Sequence, residues 1–264
     1  MRKRVLKILV GLVMLTAVMP LTFNLARQLY FQPTVPATDY PLPANRTEAW
    51  QQDLDYFEHY LRWNRPYTEG SGKAARTHIE MLAANIDALS DTELKLGITH
   101  AVALANNGHS AVWIPDMTMG IGRIPLMGRM FADGYNFLWS TPAYAEFLGM
   151  KLVTINGHPV DEVIAAFRPY SGANDSLFRL LVGWYLETPG LVHALGFSDS
   201  PTRYTLGLQR PFDDQIHELT LTVAGPTPDY PIVGTVLVLQ PANQPGWVSL
   251  ATQRTQMPTF LQDL

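Results

Sequence analysis

The 264-residue chain contains no cysteine. Disulfide bonds, cysteine-ligated zinc and thiol catalysis are therefore excluded together. Charged residues are also scarce, at 16% of the chain, and the formal net charge is −4. A nucleic-acid-binding protein needs clustered lysine and arginine side chains to meet the phosphates, so this balance argues against nucleic acid as a partner. Because 47% of the residues are hydrophobic, the chain can bury a globular core.

The sequence also lacks the common phosphate-binding and metal-binding motifs. Gly120-Ile121-Gly122 is followed by Pro125 where a dinucleotide-binding loop has its third glycine. Gly72-Lys73 is followed by Ala74, so the hydroxyl that would bind magnesium in a phosphate loop is missing. The seven histidines include no pair at the helical spacing of zinc ligands, and no serine is flanked as in Gly-x-Ser-x-Gly. We therefore expect no cofactor and no metal.

The amino-terminal 30 residues form a segment of their own. A cationic start that ends at Lys7 precedes 19 residues without a charge, Ile8 to Ala26. As a helix this stretch would span about 28 Å, close to the bilayer core of about 30 Å. We interpret residues 1–30 as a signal anchor, with a cleaved signal peptide as the alternative. The rest of the chain would then face the periplasm or the extracellular side, either membrane-anchored or secreted.

The remaining sequence predicts an α+β fold. Four prolines in residues 31–46 predict an extended linker, and apolar residues at spacings of three and four predict three helices within residues 47–115. Their apolar positions are Trp50, Leu54, Phe57 and Leu61; Ile79, Leu82, Ile86 and Leu89; and Leu94, Ile98, Ala101 and Leu104. Gly70-Ser71-Gly72 is expected to interrupt this helical block. Ser90 and Glu93 form a capping box at the start of the third helix, and Asn106-Asn107-Gly108 ends it.

Residues 116–225 have a mixed pattern. β-branched and alternating residues predict strands, and longer apolar periodicity predicts helices, with Asn156-Gly157 as the strongest turn signal. The predicted strands are Ala111–Ile114, Lys151–Ile155, Arg203–Gln209, Glu218–Val223 and Val233–Leu239, and the predicted helices are Val160–Phe167 and Leu177–Leu186.

One short motif lies between the third predicted helix and a predicted strand. Asn106 to Ser110 reads Asn-Asn-Gly-His-Ser. It resembles the Gly-Asp-Gly-His-Thr motif that ends the helical block of the tail-specific (C-terminal processing) serine peptidases, a family that includes the core of tricorn protease. The agreement extends upstream and downstream over roughly residues 47–225. Its further segments are Asp53–Phe57, Ala88–Asp91, Asp133–Tyr135, Tyr144–Gly149 and Asn156–Val160.

The resemblance implies an exported serine-type endopeptidase that acts on peptide or protein C-termini. It implies a helical domain at residues 47–115, a PDZ-like domain at 116–225 and a linker at 226–264 towards a catalytic domain. In the tricorn-like branch, a histidine at the position of His109 is the general base, whereas other branches use a Ser/Lys dyad. The alternative role of His109 is to close the turn, and we expect Ser110 to supply a supporting hydrogen bond.

Two departures from the family are visible. Asn107 replaces the family's aspartate, which removes a carboxylate from the turn. The family's nucleophile follows the PDZ-like module, so we expect the serine-bearing domain to be absent from these 264 residues. The alternative is a membrane-tethered peptide-binding module without catalysis.

Overall fold

The computed structural model describes residues 16, 18–27, 39–112, 121–223 and 248–249. These fall in two compact units, divided between Arg65 and Pro66. In the first unit, residues 18–27 are helical, and helix α1 spans Arg46–Trp63. Asn45 begins α1 by accepting a hydrogen bond from the Glu48 amide at 2.8 Å. The buried residues of α1 are Leu54, Phe57 and Leu61, which confirms the helix predicted from their spacing.

The second unit begins with helices α2 (Glu69–Ala84) and α3 (Asp91–Ala103). The expected break at Gly70-Ser71-Gly72 is wrong, because these residues form the first turns of α2. Thr68 accepts from the Ser71 amide at 3.1 Å, and the Ser71 hydroxyl accepts from the Thr68 amide at 3.0 Å. This reciprocal cap satisfies the free donors of the helix start and offsets the poor helix propensity of the two glycines.

Helix α3 is buried on more than the one predicted side. Leu94 and Ala101 are buried as expected, but Ile98 and Leu104 are only half-buried. Leu96 instead reaches the main hydrophobic core of this unit, while Gly97 faces α2. A Cβ atom at Gly97 would lie 2.5 Å from Cδ2 of Leu82, so glycine lets the two helices approach closely. A helix packed on two sides shows no single apolar stripe.

The described strands form one antiparallel sheet in the order β1-β2-β3-β5-β6, with β4 paired to β3 and β7 paired to β2. Their bounds are Leu126–Phe131 (β1), Gly134–Ser140 (β2), Lys151–Ile155 (β3), His158–Pro159 (β4), Arg203–Gln209 (β5), Ile216–Thr222 (β6) and Val248–Ser249 (β7). Strands β3 and β5 match the predictions, and β6 begins two residues earlier than predicted. Ala111 and Val112 are not in a strand; the rest of that predicted strand, and Val233–Leu239, lie outside the described residues.

The helices of the sheet region are α4 (Val160–Phe167), α5 (Asp175–Leu186) and α6 (Pro189–Ala194). Short 3₁₀ helices occupy Pro142–Phe147 and Arg168–Tyr170. The core joins apolar residues of β2, β3 and β5 with those of α4 and α5. The observed fold is therefore α+β, as predicted, and the described strands pair antiparallel.

The finer parts of the prediction are a membrane helix, a carboxy-terminal linker, a PDZ-like domain and the domain boundaries. Among the described residues, no helix has both the length and the apolar character needed to cross a membrane. The predicted anchor, Ile8 to Ala26, lies partly outside the described residues, as does most of the predicted linker at 226–264. The PDZ-like character of residues 116–225 and the domain boundaries stay predictions.

Candidate functional site

The motif Asn106–Ser110 forms a tight turn at the end of α3. The helix unwinds through backbone hydrogen bonds from Ala105 to the Val102 carbonyl at 3.1 Å and from Asn106 to the Ala103 carbonyl at 2.9 Å. Asn106 has φ 48°, the left-handed conformation that asparagine tolerates and that stops a helix. The prediction that asparagine ends α3 is confirmed.

Asn107 fixes the residues that follow. Its side-chain oxygen accepts from the His109 amide at 2.8 Å, and its carbonyl accepts from the Ser110 amide at 2.9 Å. An aspartate could accept the same amide hydrogen bond, because the acceptor is a side-chain oxygen in both residues. The replacement of the family's aspartate by Asn107 therefore keeps the shape of the turn and removes only its charge.

The turn packs against the loop that precedes α5. A Cβ atom at Gly172 would lie 3.0 Å from both the Ala103 carbonyl oxygen and the Asn107 nitrogen, so the two main chains are in contact. A Cβ atom at Gly108 would lie 3.0 Å from Cδ2 of Leu177. Gly108 does not have a positive φ, so its contribution here is the close approach to Leu177 and not a left-handed conformation.

His109 and Ser110 have opposite environments. His109 is exposed, whereas Ser110 is 7% exposed. Among the described residues, no hydrogen-bond partner is found for the His109 ring. The turn thus presents an accessible imidazole on a fixed backbone. Burial of Ser110 disfavours it as a nucleophile, because an attacking hydroxyl must reach the substrate carbonyl.

A second Asn-Gly-His triplet, Asn156-Gly157-His158, is a useful comparison. Asn156 and Gly157 have φ values of 49° and 84°, as in the two-residue turns that favour Asn-Gly, which confirms the predicted turn between β3 and β4. The Asn156 side chain accepts from the Thr205 amide at 2.8 Å and donates to the Phe197 carbonyl at 3.0 Å. His158 is also exposed, and its ring packs edge-on against Phe197. This triplet connects strands and has a structural role.

A buried polar network lies elsewhere in the same unit and was not predicted. The Glu187 carboxylate pairs with Arg123, and it accepts hydrogen bonds from the Tyr135 hydroxyl and from the Gly128 amide at 2.8 Å. The Arg123 guanidinium lies 4.0 Å from the ring centroid of Trp184. Arg123 and Glu187 are 6% and 2% exposed, so substrate cannot reach them and the network is structural.

The phenol of Tyr135 donates a hydrogen bond within this network. Burial, with the neighbouring Glu187 charge, raises the pKa of Tyr135 well above its ordinary value. A neutral phenol keeps its hydrogen and can donate a hydrogen bond to the carboxylate. Since Arg123, Tyr135 and Glu187 lie on separate elements, no local sequence pattern could have indicated it.

Two half-buried histidines on α2 and α3 were also missed. The rings of His78 and His100 meet edge-on with their centroids 4.6 Å apart. Apolar periodicity finds the two helices but not which polar residues meet between them. In the described part of the chain, no group of three or more potential metal-ligating side chains is found.

Comparison with known proteins gives distant matches. No protein-family model matches the chain, and no curated protein matches it. Among solved structures, mature CPAF complexed with lactacystin aligns over 68% of this chain and 35% of its own length, with 19% identity and a TM-score of 0.47. A serine-to-alanine mutant of CPAF aligns over 68% of this chain and 34% of its own, with 19% identity and a TM-score of 0.43. CPAF is a chlamydial serine peptidase of the tail-specific protease type. The chain spans about one third of the length of these solved chains.

Proposed function

We propose that this chain is the front part of an exported serine peptidase of the tail-specific type, in which His109 is the general base. The observation that carries the proposal is the exposed ring of His109 on a turn whose backbone is held by Asn107. A general base must have a fixed position and must be reachable by the nucleophile and the substrate. The resemblance of residues 47–225 to the family supplies the reaction class.

The partner serine belongs, by the same resemblance, to the domain that follows the PDZ-like module. A histidine base acts when a serine hydroxyl lies within hydrogen-bond reach of the ring. Peptide or protein C-termini would be the substrates, and residues 116–225 would bind them. Reading the coding sequence past codon 264 tests this arrangement: a continuing frame with a serine on a strand-turn-helix unit supports it, and an immediate stop favours a peptide-binding module without catalysis.

The role of His109 is tested by His109→Ala in the complete protein. We expect peptidase activity on an unstructured substrate to fall about 100-fold or more, because a positioned general base contributes at least that factor. The melting temperature should change little, since the ring has no hydrogen-bond partner among the described residues.

His158→Ala is the matched control, because it removes an exposed histidine from the other Asn-Gly-His triplet. It should leave the specific activity unchanged. If His109→Ala lowers stability by about 1 kcal/mol, the net worth of one hydrogen bond, and leaves the specific activity of the folded protein unchanged, then His109 only closes the turn and the proposal fails.

We also propose that residues 8–26 tether the protein to a membrane. In the described residues of this stretch, several apolar side chains are more than half exposed, including Met19, Leu21 and Phe23. The hydroxyl of Thr22 donates to the Val18 carbonyl at 3.0 Å within the helix, so its polar group is satisfied without water, as a lipid environment requires.

A further inference from the structure

A cluster of three ring side chains lies between the helices and the loop that holds the His109 turn. The His78 ring of α2 meets the His100 ring of α3 with centroids 4.6 Å apart, and the His100 ring meets the Tyr170 ring at 5.6 Å. Tyr170 ends the 3₁₀ helix Arg168–Tyr170. We name these three residues the histidine cluster.

The cluster accepts neutral histidines and disfavours charged ones. Nε2 of His78 is buried and has no hydrogen-bond partner among the described residues. A neutral ring can leave this nitrogen without a hydrogen, but protonation would put a charged N–H there with no acceptor. The adjacent His100 ring, once protonated, would add a second positive charge at short range.

The pKa shifts of the two histidines have the same direction. Burial, followed by the charge of His100, lowers the pKa of His78, and the Gly97 backbone opposes this by a smaller amount. Burial also lowers the pKa of His100. Within the described residues, no ion pair joins a carboxylate to either ring.

Two further titratable groups near α3 are Tyr170 and His193. Burial raises the pKa of Tyr170, which therefore stays neutral in acid. His193 of α6 acts electrostatically on Glu93, near the opposite end of α3 from His100, and its Nδ1 contacts the Ser198 carbonyl at 2.6 Å.

Tyr170 connects the cluster to the turn. Two residues beyond Tyr170, Gly172 lies in main-chain contact with Asn107. Arg168 donates to the Ser171 carbonyl at 2.7 Å and to the Ala173 carbonyl at 2.9 Å, so the loop is tied to the 3₁₀ helix and should move with it. Helix α3 ends at Ala103, three residues after His100 and three residues before Asn106.

From this geometry we infer that the histidine cluster is a proton-sensitive clasp: it holds α2, α3 and the Arg168–Ala173 segment together at neutral pH, and it loosens the Asn106–Ser110 turn in acid. The sign follows from linkage. Since the folded-state pKa values lie below the ordinary value of 6.5, the loosened form binds more protons, and the closed form loses stability as the pH falls below about 6.5. The inference concerns conformation and does not depend on a catalytic role for His109.

Amide hydrogen exchange of the full chain, in buffers with a metal chelator, tests the clasp between pH 7.5 and 5. The protection factors of residues 106–110 and of α2 should fall together in the wild type. For each proton that binds to the opened form and not to the closed form, the protection factor should fall by up to about tenfold per pH unit. In the double variant His78→Gln/His100→Gln the protection should stay level, whereas the control His158→Gln should behave as the wild type.

Further variants keep the test decisive if the double variant does not fold. His78→Phe and His100→Phe retain the ring contact, and each removes one protonation site. Each should therefore reduce the pH dependence of the protection factors. Tyr170→Ala should leave the acid response of α2 intact while residues 106–110 no longer follow it. An equal loss of protection in the folded histidine variants and the wild type would overturn the clasp, and so would a wild type in which α2 opens in acid while residues 106–110 stay protected.

Discussion

At the scale of single residues, the buried carboxylate of Glu187 has the most partners of any polar group described above. It accepts from the Gly128 amide and the Tyr135 hydroxyl and pairs with Arg123, while the Glu187 carbonyl accepts from the Ile124 amide at 2.9 Å. These bonds attach the segment before β1, and β1 itself, to the end of α5. A buried charge is tolerated only when it is paired and hydrogen-bonded. Removing one member of the Arg123–Glu187 pair should therefore lower the free energy of unfolding more than removing both.

Glu187→Gln should therefore lower the free energy of unfolding by about 3 to 5 kcal/mol, because it removes the carboxylate that pairs with the buried Arg123 guanidinium. The double variant Arg123→Met/Glu187→Gln should be less destabilised than Glu187→Gln alone, since it removes both members of the buried charge pair. Urea unfolding followed by tryptophan fluorescence measures both.

Glu162→Gln is the control for Glu187→Gln, since Glu162 is exposed on α4 and its loss should change stability by no more than about 0.5 kcal/mol. If the double variant is as unstable as Glu187→Gln, then the hydrogen bonds of Glu187, and not its charge pair with Arg123, determine the stability at this site.

At the scale of elements, α2 and α3 begin with the same kind of cap but different chemistry. In α3 the Ser90 hydroxyl accepts from the Glu93 amide at 3.2 Å, and the Glu93 carboxylate accepts from the Ser90 amide and hydroxyl, both at 2.7 Å. These hydrogen bonds are the main cause of the lowered pKa of Glu93. In α2 the corresponding residues, Thr68 and Ser71, carry no titratable group. The chain thus contains a charged cap and a neutral one.

Ser90→Ala should cost about 1 kcal/mol of stability at pH 7, the usual worth of a helix cap. The folded-state pKa of Glu93 lies below the ordinary value of 4.5. The stabilisation by the Glu93 carboxylate is therefore fully present above about pH 4.5, and it is lost as the pH falls through the lower pKa of the folded state. The difference between the wild type and Ser90→Ala should narrow in acid.

Thr68→Ala is the matched control. It should lower the stability at pH 7 by a similar amount. Its stability difference from the wild type should not narrow in acid, because the Thr68–Ser71 cap contains no titratable group. Thermal unfolding at pH 7 and pH 3.5 compares the two. A Ser90→Ala difference that stays constant between these pH values would contradict the role given to the Glu93 carboxylate.

The elements that could be predicted from the sequence are those defined by local signals. Helix α4 follows the Asn156-Gly157 turn and shows clear apolar periodicity, and its predicted bounds match the structure. Strands β1 and β2, which pair with each other from Leu126–Ser140 to Phe131–Gly134, were not predicted from the sequence. The His109 turn was found because its five residues are contiguous. The histidine cluster was not found, because its members lie on different elements and meet only in the folded chain.

At the scale of the whole molecule, the amino-terminal segment differs from the rest of the chain. Among the described residues, Met19, Leu21 and Phe23 expose 67%, 73% and 68% of their surface, whereas the large apolar residues of α2 to α6 and the central strands are mostly buried. Apolar side chains this exposed on one helical stretch need a partner that removes them from water. The cationic residues before Ile8 fit the cytoplasmic side of a bilayer.

We therefore expect the full chain to sediment with membranes and to stay there after a high-salt wash. Leu21→Arg combined with Phe23→Arg should move much of the protein to the soluble fraction, because each arginine adds an insertion cost that reaches about 3 kcal/mol at the centre of a membrane helix. Leu42→Arg is the control, since Leu42 is 93% exposed and lies in the proline-rich linker, so the membrane fraction should not change. Soluble wild-type protein whose amino terminus begins beyond residue 26 would establish a cleaved signal instead, and soluble protein with an intact amino terminus would refute the tether.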